Sequence, residues 1–418
     1  MTHGRAITTE RLARVPITGI AAGGDGVGRT NGMVVFVPRT AIGDVALVRL
    51  AAGKRFARGR LESLEHPSAH RVSPPCVHYT RDNCGGCQLQ HLSHEAQLRT
   101  KGVIIGDAMR RIGKRDVEDP VVQPSDEQWR YRRKLTLHLR RDGETWVAGL
   151  HPYDDPDAVF NLEDCPITAR DVLAVWAELR PSFAFLPESR ALRVAVRLIG
   201  HGASVVVEGG RTWRSVDRFF AQSPAILELW WRPEHGAMRR LAARNAEAVA
   251  GASFVQVNER VAASLRADLL DRVRAHSPSR IVDAYAGLGD TAVPLASEGR
   301  TVVAIELDAV AVASFSDQLR PPSRAIVGRV EEHLSAALPA DVVLLNPPRA
   351  GVDARVTSAL QQVARAPRAI LYVSCDPATL ARDVARMPRY RVALMRAYDM
   401  FPQTAHVETV CELVPEAA

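Results

Sequence analysis

One thiol stands where an apolar run gives way to a helical pattern. In "AILYVSCDPATLARD" Cys375 follows Ala369–Ser374 and precedes an expected helix. Backbone N–H groups and the dipole at a helix start depress a thiol's pKa and favour the thiolate. Cys375 is therefore expected to be a nucleophile rather than a buried apolar filler. Near the end of the chain, "DMFPQTAHVETVCELV" sets His406 and Glu408 two residues apart on an expected strand, hence on one face. A carboxylate held near the thiol could serve as general base.

Other groups with chemistry lie upstream. "DAYAGLGD" (Asp283 to Asp290) is a strand-like run entering Gly-Leu-Gly, and Glu306 ends the next strand-like run, "TVVAIEL". Glycines admit a ligand close to the backbone, and an acid at that place can bond ribose hydroxyls. The third glycine of a dinucleotide fingerprint is missing, so NAD is disfavoured and a nucleoside such as S-adenosylmethionine (SAM) fits better. "LLNPPRAGVD" puts Asn346 and two φ-locked prolines at another strand end. Arg349 follows where enzymes that methylate exocyclic amines have an aromatic. Cys76, Cys84 and Cys87 in "CVHYTRDNCGGC", with Cys165 downstream, match either tetrahedral zinc or an iron–sulfur cluster.

Three regions must position these groups. Up to about residue 68, short β-branched runs such as "MVVFVP" and "VALVRL" with glycine turns predict a small OB-like barrel. From 69 to 250 the chain is arginine-rich. It includes the helix-like "CQLQHLSHEAQLRTKGVIIGDAMRRIG" and "WRYRRKLTLHLRR", which reads as a strand with one cationic face. From 251 to 418 strands and helices alternate, predicting an α/β, Rossmann-like, doubly wound sheet. Ligands bind beyond the carboxyl ends of such strands, so Gly287, Glu306, Asn346 and Cys375 should share one edge.

Composition narrows the classes. The 418 residues carry a net charge of +7, which suits a polyanionic partner. No apolar run is long enough for a membrane span, and the N-terminus lacks a signal-peptide core. A cytoplasmic protein without membrane attachment is expected, and six cysteines in such a chain point to metal or catalysis rather than disulfides.

Taken together, "HPSAHRVSPPC", "CGGCQLQHLSHEAQLRTK", "FVQVN", "DAYAGLGD", "NPPRAG", "SCDPATLARD" and "DMFPQTAHVE" resemble the bacterial RNA uracil-5-methyltransferase family over nearly the full length. The resemblance implies a TRAM-type RNA-binding barrel (1–68), a central domain with an iron–sulfur cluster (69–250) and a class I methyltransferase domain (251–418). It implies a [4Fe–4S] cluster on Cys76, Cys84, Cys87 and Cys165. SAM would lie on Gln256, Tyr285, Gly287, Gly289, Asp290, Glu306 and Asn346, with Cys375 as nucleophile and Glu408 as proton acceptor. The expected partner is RNA, ribosomal rather than transfer, and the expected state is a monomer. The chain departs from the family pattern at Asn346, where Asp is usual, at Asp290, commonly Asn, and at Arg329, usually small and polar. Asn346 can accept from uracil N3–H but can also donate to cytosine N3. Cytosine-5 or amine methylation, and a non-catalytic RNA-binding factor, are the rival readings.

Overall fold

The computed structural model describes residues 11–51, 55–244 and 256–416; the expected boundary at 250/251 and the Phe254 and Val255 of "FVQVN" lie outside them. Three sheets organise the chain, and the first is a closed five-stranded barrel. Alternation along Arg11–Ile20, Met33–Val37 and Val45–Ala51 turns Val15, Ile17, Val35, Val37, Ala46 and Val48 inward. The interior is narrow, for a Cβ on Gly59 would stand 2.1 Å from Val48 Cγ1. Buried Asp44 ties the barrel to the next segment, accepting from the amides of Ala41 (2.6 Å) and Ser68 (2.8 Å) and from Arg71.

The second sheet has seven strands and carries the expected cationic strand as Lys134–Asp142. Leu135, Leu137 and Leu139 face its core, leaving Lys134, Thr136 and His138 half-buried on the other face and Arg140 exposed. The helix Arg170–Leu179 packs Val172, Val175 and Trp176 into the same core.

The third sheet has eight strands. From one edge they run Arg324–Val327, Thr301–Glu306, Arg280–Ala284, Val342–Leu345, Ala369–Ser374, Glu408–Pro415, Tyr390–Tyr398 and Val122–Gln123. The first five are parallel, and Glu408–Pro415 runs antiparallel to both of its neighbours. The central strands read as uninterrupted apolar runs because both faces are covered. Part of the 69–250 region joins this layer: the helix His94–Arg111 lends Ile105 and Met109 to its core, and Val122–Gln123 extends its edge. The helix expected over "GDTAVPLASEG" is shorter, Ala292–Ser297, because the positive-φ glycines Gly287 and Gly289 keep the preceding loop non-helical.

The helix Glu259–Ala275 docks on the antiparallel strand through Glu412, which is 2% exposed and accepts from Arg272 Nε (2.7 Å) and His276 Nε2 (2.8 Å). Removing one partner of a buried ion pair strands the other charge. Arg272→Ala is expected to cost about 3 kcal/mol, read as a lower urea midpoint at unchanged m-value.

Candidate active site

The parallel strands end at one edge and deliver the expected residues there. Tyr285 and Ala286 both donate backbone N–H bonds to Ile305 O, and Tyr285 adopts φ +66 at the turn out of Arg280–Ala284. Gly287 N donates to Glu306 Oε2 (2.8 Å) and Asp308 N to Glu306 Oε1 (2.9 Å). Glu306 is thereby held by two backbone amides, with lone pairs left on each oxygen for further donors. Gly289 is required for packing as well as conformation: φ is +79, and a Cβ would approach the Phe315 ring to 2.5 Å. A Cβ on Gly287 would meet nothing within 4 Å, so the backbone is open to a ligand on that side. Asp290 is exposed and paired with Arg266 (3.1 Å). Gln256 is half-buried next to Asn258, which caps the following helix. Arg329 stands at the N-cap of Val330–Ala337, exposed and 3.6 Å from Glu331.

Asn346 is exposed at the end of Val342–Leu345, its amide reaching Ala284 O at 3.4 Å. The loop after it is tied down by Asp383, which is fully buried. Asp383 Oδ2 accepts from Val352 N (2.9 Å) and Tyr372 OH (2.8 Å), while Arg382 Nε donates to Oδ1 (2.9 Å). Arg349 projects from this loop, exposed.

Cys375 lies just past Ala369–Ser374, half-buried. The antiparallel pairing ends at Ser374–Thr409; Cys375 and Glu408 are the next residues along, and Glu408 is near enough to act electrostatically on the thiol. Glu408 is 2% exposed, and its Oε2 has no hydrogen-bond partner among the described residues. Burial pushes its carboxyl up to about 8, against the pull of Arg349.

Two expectations are corrected here. The Cys375 thiol is raised rather than depressed: burial is the main cause, Glu408 adds to it, and Arg349 opposes it. The helix start that was to favour the thiolate is already used, because Asp376 Oδ1 accepts from the amides of Ala378 (3.0 Å) and Thr379 (2.9 Å). His406 does not share a strand face with Glu408. It is exposed and precedes the strand, which begins at Glu408, and its ring lies edge-on to Phe401.

Several groups near the site escaped the sequence reading. Asp283 is buried, accepts from Thr291 Oγ1 and is raised to about 7, chiefly by burial. Asp383 and Arg349 lay inside quoted motifs, yet nothing in the sequence revealed that one clamps the loop or that the other's charge faces the thiol and the acid.

Cys76, Cys84, Cys87 and Cys165 are brought together as expected. All four are buried and line a cavity of about 160 Å³ with Leu135, Leu150 and Leu162. Burial, reinforced by Cys165 and Cys76, raises the Cys84 thiol to about 11. Among the described residues no group of three or more His, Cys, Asp or Glu side chains is arranged to hold a metal ion.

A parallel sheet with one antiparallel insertion, a glycine loop and an acid at adjacent strand ends defines a class I methyltransferase. A tRNA (uracil-54, C5)-methyltransferase from Pyrococcus abyssi, solved with S-adenosyl-L-homocysteine, shares the fold at TM-score 0.69 and 23% identity, over 96% of this chain and 99% of that one. The family description "tRNA (Uracil-5-)-methyltransferase" matches residues 329–414. An uncharacterised RNA methyltransferase of Protochlamydia amoebophila is 31% identical over 99% of both chains. The 23S rRNA (uracil(1939)-C(5))-methyltransferase of Salmonella typhi is 29% identical over 97% of both. The chain belongs to the RNA uracil-5-methyltransferase family. It is an enzyme, dependent on SAM.

The pKa of Glu408 makes a sign-definite prediction. The folded state holds a proton on this carboxyl at pH values where the unfolded chain has released it, so stability falls as pH rises from about 4.5 to about 8. Glu408→Gln removes that loss. Its melting temperature should exceed the wild type's by more at pH 8.5 than at pH 5, as scanning calorimetry at both pH values would read.

Proposed function

We propose that the protein converts a uridine of ribosomal RNA to 5-methyluridine, with Cys375 as nucleophile and Glu408 as proton acceptor. The observation that carries this reading is the buried Glu408 carboxyl oxygen without a partner, near the Cys375 thiol on which it acts. A buried acceptor left open in this way suits a proton that arrives only with substrate. The thiol proton is lost to water, and Cys375 Sγ adds to uracil C6. The displaced π electrons make C5 nucleophilic, and C5 takes the methyl group as the sulfonium S–CH₃ bond of SAM breaks. Glu408, its own carboxyl proton also lost to water, then removes the C5 proton; those electrons restore C5=C6 and expel the Cys375 thiolate. The charge of Arg349 favours both ionised side chains.

SAM is assigned to Gln256, Tyr285, Gly287, Gly289, Asp290, Glu306 and Asn346. Glu306 supports this best, its two oxygens being pre-oriented by the amides of Gly287 and Asp308. The division into residues 1–68, 69–250 and 251–418 assigns RNA holding to the barrel, taken as TRAM-type, and to the cationic face of Lys134–Asp142. The target base must leave its stack to reach Cys375. Ribosomal rather than transfer RNA follows the Salmonella relative's substrate and its similarity over nearly the whole chain. The protein is assigned to the cytoplasm, as a monomer; no helix among the described residues is long and apolar enough to cross a membrane.

Cys76, Cys84, Cys87 and Cys165 fit a [4Fe–4S] cluster. The donor set is all sulfur, and the four thiols line one cavity. When bound, the cluster would supply a rigid four-point anchor for the segments that carry these cysteines.

RNA containing 5-fluorouridine tests the reaction. After methyl transfer the C5 fluorine cannot be removed as a proton, so a methylated covalent adduct should survive denaturation and map to Cys375. Cys375→Ala should abolish adduct and turnover while retaining SAM binding. Full activity of that variant would overturn the reading. Nucleoside mass spectrometry yielding 5-methylcytidine or a methylated amine would redirect it to the rivals that Asn346 leaves open.

For the cluster, anaerobically purified protein is expected to be brown and to hold roughly four irons per chain. A colourless protein with stoichiometric zinc would refute it.

A further inference from the structure

Glu408 reaches its place at the end of a loop, Asp399–Val407, that leaves the strand Tyr390–Tyr398. The loop is held in an unusual way. Among the described residues, every hydrogen bond that ties 399–405 to another part of the chain goes to a residue between Gln88 and Tyr131. Buried Asp399 accepts from His94 Nε2 (2.9 Å) and from Lys101 Nζ, and the fully buried Lys101 also donates to Phe401 O (3.0 Å). Tyr131 OH donates to Pro402 O (3.0 Å), and Ala405 N donates to Gln88 Oε1 (3.2 Å).

Gln403 is the centre of this latch. Its φ is +71, a left-handed conformation that is strained for a non-glycine residue and persists only where the surroundings impose it. Gln97 imposes it from both sides: Gln97 Nε2 donates to Gln403 Oε1 (3.0 Å), and Gln403 N donates to Gln97 Oε1 (2.9 Å). Leu89 N closes the third contact on Gln403 O (2.9 Å). Both Gln97 and Gln403 are buried. Leu89 lies two residues beyond Cys87, so the latch is continuous with the segment bearing three of the four cysteines.

We infer that Gln97, together with His94, Lys101 and Tyr131, forms a set of positioning residues that places the Glu408 carboxyl for the C5 proton. The cysteine-bearing segment thereby governs release of the methylated product. The inference rests on the roles proposed above for Cys375 and Glu408. It is selective for the last step. Cys375, the glycine loop and Glu306 sit at ends of the parallel strands, and the loop beside them is fixed by Asp383 rather than by the latch. Loosening 399–405 therefore leaves thiol addition and methyl transfer in place while moving the base.

The test is single turnover on unmodified ribosomal RNA transcript with SAM, following methylated covalent adduct and free methylated RNA separately. Glu408→Gln serves as the reference and should trap the methylated adduct on ordinary uridine. Gln97→Leu should accumulate the same adduct, with release slowed about ten- to a hundredfold, the penalty of a displaced catalytic group. Its rates of adduct formation and its SAM affinity should match the wild type's. Thermal unfolding checks that it is folded. Should it not be, Tyr131→Phe, which deletes only the hydroxyl bonded to Pro402 O, decides the matter by the same readout. A folded variant that releases product at the wild-type rate, or loses adduct formation and release in equal proportion, overturns the latch. If Glu408→Gln itself traps nothing, the assigned roles of Cys375 and Glu408 fail, and the latch falls with them.

Discussion

Keeping the Glu408 carboxyl out of water, beside a thiol, is the constraint around which the third sheet is arranged. Raising a carboxyl from 4.5 to about 8 means that its ionised form is disfavoured in the fold, by on the order of a few kcal/mol. No hydrogen bond from the described chain relieves Glu408 Oε2. That strain is borne by the antiparallel strand Glu408–Pro415, which is buried along most of its length and paired on both sides. At its other end Glu412 is fully compensated by Arg272 and His276. One strand thus holds two buried acids under opposite conditions, one bonded at both oxygens and one with an oxygen left without a partner.

The same division runs through the surrounding groups. Asp383 and Asp399 are both wholly buried, and both oxygens of each accept a hydrogen bond. The first fixes the loop that carries Arg349, and the second fixes the loop that leads to Glu408. Burial and hydrogen bonding are used here to hold backbone. Burial without a partner for one oxygen is found at Glu408, the condition that raises its carboxyl pKa. The cysteine thiols form a third case, buried together around one cavity.

Much of this was legible beforehand. Apolar runs ending in Gly, Glu, Asn and Cys announced a parallel sheet with its functional edge, since strands buried on both faces cannot alternate. The barrel was equally plain from short β-branched runs and glycine turns. The cysteine spacing announced a sulfur site. These features are local: strand periodicity, turn chemistry and ligand spacing are written within a few residues of one another.

What the sequence by itself determined was therefore the inventory and the fold class: a thiol at a strand end, a late acid, a glycine loop and a four-cysteine set, on a doubly wound sheet behind a barrel. Only the tertiary structure decided their electrostatic states and couplings. Desolvation outweighs any helix-start effect at Cys375, because Asp376 has taken the free amides there. His406 and Glu408 part company because the strand begins at Glu408 itself. The dependence of the Glu408 loop on residues some 300 positions earlier, through Gln97 and Lys101, is invisible in any local window. Burial and long-range hydrogen bonds are properties of the packed chain, and no pattern of neighbours along the sequence encodes them.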